Sequence, residues 1–115
     1  MTSYIAAGLN TETHKEFILQ HQGDLNDHII KTVAATMDVS AELLFTKSQK
    51  REIVEARQIC IYLIKQHTQL SLKAIGKTFN NMDHSTVIYS IKTVSDLHDS
   101  GKAYRAQFER IEAAL

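Results

Sequence analysis

A chain of 115 residues with 43% apolar side chains can bury one modest core, so a single domain, with or without a tail, is expected. The lone cysteine, Cys60, excludes an internal disulfide and fits a reducing, cytoplasmic setting. No apolar run approaches the roughly 20 residues that span a bilayer, and the opening MTSYIAAGLNTETHKEF lacks the basic-then-apolar order of a secretory signal. Formal charge is zero, but it is unevenly spread: residues 46–92 carry 8 basic and 3 acidic groups, a local +5 that leaves −5 on the rest. A phosphate backbone senses the field within a Debye length of about 10 Å, so overall neutrality does not exclude a nucleic-acid partner. There is no proline and little strand-like alternation, which predicts an all-α fold.

Residues 1–26 read as an amino-terminal extension. Phe17, Ile18 and Leu19 could form a turn or two of helix ended near Gly23, Tyr4, Ile5 and Leu9 could dock on the domain or on a partner, and residues 1–26 could mediate self-association. The domain proper is expected over 27–115. Asn26 or Asp27 can cap a helix to about Met37 whose inner stripe is Ile29, Ile30, Val33, Ala34 and Met37. Ser40 can cap a short helix that turns Ala41, Leu43 and Leu44 to the core. Residues 45–51 then break the rhythm and read as an exposed basic loop, either a solvated linker or one whose Lys47, Lys50 and Arg51 meet phosphates or a minor groove.

From Ile53 to about His67 the pattern is apolar on most sides, the mark of a central helix. Cys60 falls within its stripe and is read as a packing residue rather than a nucleophile. Arg57 and Gln58 interrupt the stripe, and Lys65 follows two turns later on roughly the same side, a row that could straddle a phosphate backbone or simply be wetted. Residues 70–91, LSLKAIGKTFNNMDHSTVIYSI, read as two helices joined by a tight turn. Ser71 caps the first; Leu72, Ile75 and Phe79 face inward; Gly76 allows two helices to approach closely; Asn80-Asn81 suits left-handed backbone. Asp83 can cap the amides of Ser85 or Thr86, and Val87, Ile88, Ile91 and Val94 face the core. His84, Ser85 and Thr86 are then left at the open end of the second helix, a placement that can enter a DNA major groove. After Gly101, the 4-3-4 spacing of Tyr104, Phe108, Ile111 and Leu115 predicts a closing helix.

Catalytic signals are weak. No glycine-rich loop ends in Gly-Lys-Ser/Thr, and none of the histidines at 14, 21, 28, 67, 84 and 98 has a histidine or cysteine three or four residues on, so no metal or cofactor is expected. Asp83-His84-Ser85 holds the residue types of a hydrolase triad, but sequence neighbours at a helix start diverge and a triad is defined by geometry. No enzymatic activity is expected. For DNA the same residues fit: the helix start favours anions, His84 can donate, and Ser85 and Thr86 can donate or accept.

Ala56-Arg57-Gln58, Leu70-Ser71-Leu72, Ile75-Gly76, Phe79 and Asp83-His84-Ser85-Thr86-Val87, with their spacing, resemble the carboxy-terminal DNA-binding domain (domain IV) of DnaA, the bacterial chromosomal replication initiator. The resemblance covers about residues 27–115. It implies a compact, Trp repressor-like helical bundle with a helix-turn-helix that binds double-stranded DNA at a DnaA-box-like site. It also implies that Asp83, His84, Ser85 and Thr86 read the major groove. Arg57, Gln58, Lys65 and the groups near Ser71, Leu72 and Lys73 would hold the backbone, and the basic loop would approach the minor groove. Gln49 stands where the family has a minor-groove arginine, and Glu55 where a basic residue is usual; both weaken the electrostatic attraction. The ATPase domain that precedes this module in DnaA has no counterpart in these residues, so the chain is not expected to act alone as an ATP-driven initiator. The alternative is a protein-interaction module that keeps the fold without specific DNA binding.

Overall fold

The computed structural model describes residues 22–115. Its regular elements are α1 (Gln22–Met37), a 3-10 helix η1 (Ala41–Phe45), α2 (Arg51–His67), α3 (Leu72–Thr78), α4 (His84–Ser100) and α5 (Lys102–Ala114). Among the described residues there is no strand, and no helix is long and apolar enough to cross a membrane. The expectations for residues 1–21 lie outside the described residues.

Helix α2 is the centre, as its pattern required. Ile59, Cys60, Ile61, Leu63 and Ile64 are wholly buried, and α1, η1, α3 and α4 pack around it. Burial pushes the Cys60 thiol far up, so it stays protonated and serves as packing. Val33 and Ile29 from α1, Val87 and Val94 from α4, and Phe108 and Ile111 from α5 complete the core. Tyr62 meets Phe108 edge to face, with ring centroids 5.5 Å apart. Each fully buried aliphatic side chain contributes about 1.5–3 kcal/mol, which makes α2 the main source of stability.

Several expected boundaries move. Gly23, Asn26 and Asp27 all lie inside α1, so the cap at Asn26 or Asp27 does not exist and the stripe continues back to buried Leu25; the helix expected to end near Gly23 falls outside the described residues. At the other end Asp38 takes positive φ (55°), Val39 N–H donates to the Ala34 carbonyl and Asp38 N–H to that of Ala35. That is a helix-terminating motif normally built on glycine, here made with an aspartate. Ser40 precedes η1 without capping it through its side chain, and only Leu44 of that turn is buried; Leu43 faces solvent. Ile88 is 46% exposed rather than inward, and buried Ser90 takes the intervening core position, its hydroxyl satisfied by the Thr86 carbonyl. Arg105 of α5 closes the end of α4 by donating to the carbonyls of His98 and Asp99.

Candidate nucleic-acid interface

Helices α3 and α4 form the predicted pair. Ser71 Oγ accepts from Ala74 N–H at 3.1 Å, the cap expected of it. Two consecutive residues, Asn80 (φ 59°) and Asn81 (φ 54°), then adopt left-handed backbone, and the Met82 N–H returns to the Gly76 carbonyl at 2.8 Å. A Cβ at Gly76 would overlap the Met82 carbonyl, so the close approach it permits is first of all to this turn, with Val87 of α4 behind.

Asp83 starts α4 through its backbone: its carbonyl accepts from Thr86 N–H (3.0 Å) and Val87 N–H (3.1 Å). Its carboxylate does not cap the Ser85 or Thr86 amide, contrary to expectation. It accepts instead from the Ser85 hydroxyl at 2.5 Å, with His84 Nδ1 at 3.7 Å from the other oxygen. The Ser85 bond, chiefly, holds the Asp83 carboxyl below its ordinary value. Ser85 has therefore committed its proton and offers lone pairs only, whereas among the described residues the Thr86 hydroxyl has no hydrogen-bond partner and the exposed His84 ring has that carboxylate as its one polar neighbour. Asp83, His84, Ser85 and Thr86 are all exposed at this helix end.

The 46–50 loop lies beside this helix end. Thr46 Oγ1 donates to the Leu43 carbonyl (2.7 Å) and accepts from Ser48 N–H, and Ser48 Oγ accepts from Lys50 N–H, two local turns in series. Arg57 secures them from below. It is 6% exposed and donates to the carbonyls of Leu44 (2.9 Å), Thr46 (2.9 Å) and Ser48 (3.2 Å), with a longer bond to Leu43. It has no carboxylate partner among the described residues; carbonyl dipoles alone offset its charge, and burial lowers its pKa from the usual arginine range. The expected row of Arg57, Gln58 and Lys65 along a wetted edge is thus broken, because the first member is turned into the protein. Phe45 stacks on Phe79 with centroids 5.7 Å apart, which ties the loop's root to the end of α3.

Thr46, Lys47, Gln49, Asp83 and Thr86 line one cleft between loop and α4, and Ser71, Leu72, Lys73, Lys77 and His84 line another on the far side of the same helix end. One face therefore carries the predicted reading residues with the loop on one flank and the start of α3 on the other. Lys65 sits further round, beside Leu72, Ile88 and Lys92. Lys47, Lys50, Lys65, Lys73 and Lys77 are exposed and unpaired among the described residues. Arg51 is not: it is the first residue of α2 and is paired with Glu55 at 2.9 Å. Lys77 was absent from the predicted set although it belongs to the basic block; helical spacing from Lys73 (i, i+4) was the signal that places the two together.

A family model described as "Bacterial dnaA protein helix-turn-helix" matches residues 26–94. Relatives are named chromosomal replication initiator protein DnaA. That of Bacteroides thetaiotaomicron is 43% identical over 89 residues, covering 77% of this chain and 19% of its own length. That of Nostoc punctiforme is 49% identical over 74 residues (64% and 16%), and that of Crocosphaera subtropica 51% over 69 residues (60% and 15%). The chain spans less than a fifth of the length of these relatives. With its capped α3, left-handed turn and open α4 start inside the matched span, the chain belongs to the bacterial DnaA helix-turn-helix family.

Proposed function

We propose that this chain binds double-stranded DNA in a sequence-dependent way and serves chromosomal replication initiation or its regulation, as the names of its relatives suggest. One observation carries the reading. The exposed His84, Ser85 and Thr86 stand at the start of a 17-residue helix, between unpaired lysines of the loop and of α3. Such a helix start attracts anions and fits the major groove. In this reading His84 donates to a base acceptor, Thr86 bonds a base edge or packs its methyl on a thymine, and the Asp83–Ser85 pair accepts from exocyclic amino groups. Lys65, Lys73 and the α3 start at Ser71 and Leu72 hold phosphates, Gln58 adds a neutral contact, and Lys47 and Lys50 approach the minor groove. Arg57 acts through the loop it fixes.

Selection of duplexes from a random pool, followed by titration against a scrambled duplex, tests this. His84→Ala and Thr86→Ala should each lose about 1–3 kcal/mol of discrimination, while Lys65→Ala weakens both duplexes alike and reduces the salt slope. Equal affinity of the parent chain for both duplexes would remove base reading. Burial of Arg57 and pairing of Arg51 favour a second reading, a protein-interaction module of the same fold. Absence of binding to any duplex at low salt, together with capture of a replication protein, would support it.

A further inference from the structure

A groove opens where α2, α3 and α4 meet. Tyr62, Leu72, Ile88 and Ile91 give it an apolar lining, with Lys65 of α2 and Lys92 of α4 beside them. Ile88 is the most exposed large aliphatic side chain among the described residues. Both lysines are exposed. Lys92 is held by Asp96 of its own helix at 3.0 Å, whereas Lys65 has no partner among the described residues. An apolar strip beside a free ammonium group suits an apolar segment that carries carboxylates.

The chain holds such a segment. Residues 12–19 place Glu12 and Glu16, with Lys15 between them, just before Phe17, Ile18 and Leu19. They lie outside the described residues and outside the family match, which begins at residue 26 and takes in every residue of the groove. Extended chain covers about 3.3–3.6 Å per residue, so Glu12 can stand up to about 35 Å from Gln22, where α1 begins. The longest dimension of the molecule is 41 Å, and α1 packs directly on α2, which gives Tyr62 and Lys65 to the groove. The groove is therefore within reach. A tethered segment acts at an effective concentration in the millimolar range, so a few contacts suffice. Four apolar side chains fall far short of the roughly 20–30 residues a side that a stable interface between separate molecules uses, which argues against a second copy.

We infer that residues 12–19 dock in this groove of their own chain, Phe17, Ile18 and Leu19 against the apolar lining and Glu12 and Glu16 beside Lys65 and Lys92. In the DNA-binding reading, on which the consequence rests, Lys65 and Leu72 hold phosphates. The docked segment is then an intramolecular competitor of the duplex.

The test uses the whole chain and its Phe17→Ser/Ile18→Ser variant. Lysines are acetylated with a limiting amount of an activated ester and followed by mass spectrometry. In the parent, Lys65 should react several-fold more slowly than exposed Lys73 and Lys77, and should keep that protection on dilution. In the variant it should react as they do. A segment docked about 80–90% of the time lowers apparent affinity about five- to tenfold, so the variant should bind a selected and a scrambled duplex more tightly by that factor. Lys65 as reactive as Lys73 in the parent, or protection that persists in the variant, would overturn the docking. Protection that fades on dilution would assign the groove to a second copy and overturn it too. Release of Lys65 with unchanged duplex affinity would overturn the competition. If neither chain binds any duplex while Lys65 is protected and released as expected, the DNA-binding reading fails and the docking stands.

Discussion

The α3–α4 turn and the 46–50 loop flank the same helix end but are held in different ways. The turn is local. Its shape comes from two left-handed asparagines, a glycine with no Cβ and a backbone hydrogen bond spanning six residues, Met82 N–H to Gly76. The loop has its own small hydroxyl turns, but its anchor is a guanidinium 9 to 11 residues away on α2. One connection is fixed by what its residues can adopt, the other by what the core reaches out to hold.

Arg57→Met separates the two most sharply. It leaves the carbonyls of Leu44, Thr46 and Ser48 without their donor, so the loop must open to water or remain unsatisfied. A loss of about 2–4 kcal/mol in unfolding free energy is expected, with faster tryptic cleavage after Lys47 and Lys50 and unchanged protection of the turn amides in hydrogen exchange. Arg57→Lys should recover only a small part, since one ammonium cannot span three carbonyls. Parent-like cleavage in Arg57→Met would make the two connections equivalent. Gly76→Ala strikes the other side. Its new methyl must displace the Met82 backbone, at a cost of about 1–3 kcal/mol, and the amide shifts should spread through 79–86 while the loop stays protected.

The same contrast explains what could be read from the sequence. Asn80-Asn81 and Ser71 carry their meaning in their own residue type, and each is found in the conformation or contact its chemistry predicts, while Gly76 serves a close approach to the Met82 turn backbone rather than chiefly to a second helix. The α2 stripe was equally legible, because helical spacing alone separates buried from exposed. Arg57 was not: a cation amid a basic block looks like a surface charge until Leu44, Thr46 and Ser48 are folded against it. Asn26 and Asp27 point the wrong way for a related reason, since residues that commonly cap helices are tolerated inside α1 when the apolar stripe running past them, from Leu25 to Ala34, is buried. Ile88 and Ser90 exchanged roles because periodicity gives the inner face to within one residue, and packing against α2 decides which residue it is.

Within the turn, Asn80→Ala should cost about 1 kcal/mol, because an alanine at positive φ places its Cβ against the following carbonyl. The melting temperature would fall while the salt dependence of DNA binding stays unchanged. A larger effect than that of Gly76→Ala would shift the weight of the turn from close approach to backbone handedness.

Asp83→Asn should give the smallest change, because Asp83 opens α4 with its main chain and its exposed carboxylate meets only the neighbouring Ser85 hydroxyl and His84 among the described residues. Its folded-state pKa lies below the ordinary 3.8, so its ionised form stabilises the fold above that value, and the benefit disappears as pH falls through the lower folded value. The melting-temperature gap between the parent chain and Asp83→Asn should thus be small and level from neutral pH down to about 4, then close in more acidic solution. Ser71→Ala, which removes a true side-chain cap, should cost about 1 kcal/mol at any of these pH values. If Asp83→Asn matched Ser71→Ala at neutral pH, the start of α4 would depend on a carboxylate, and the turn would no longer be a device of backbone conformation alone.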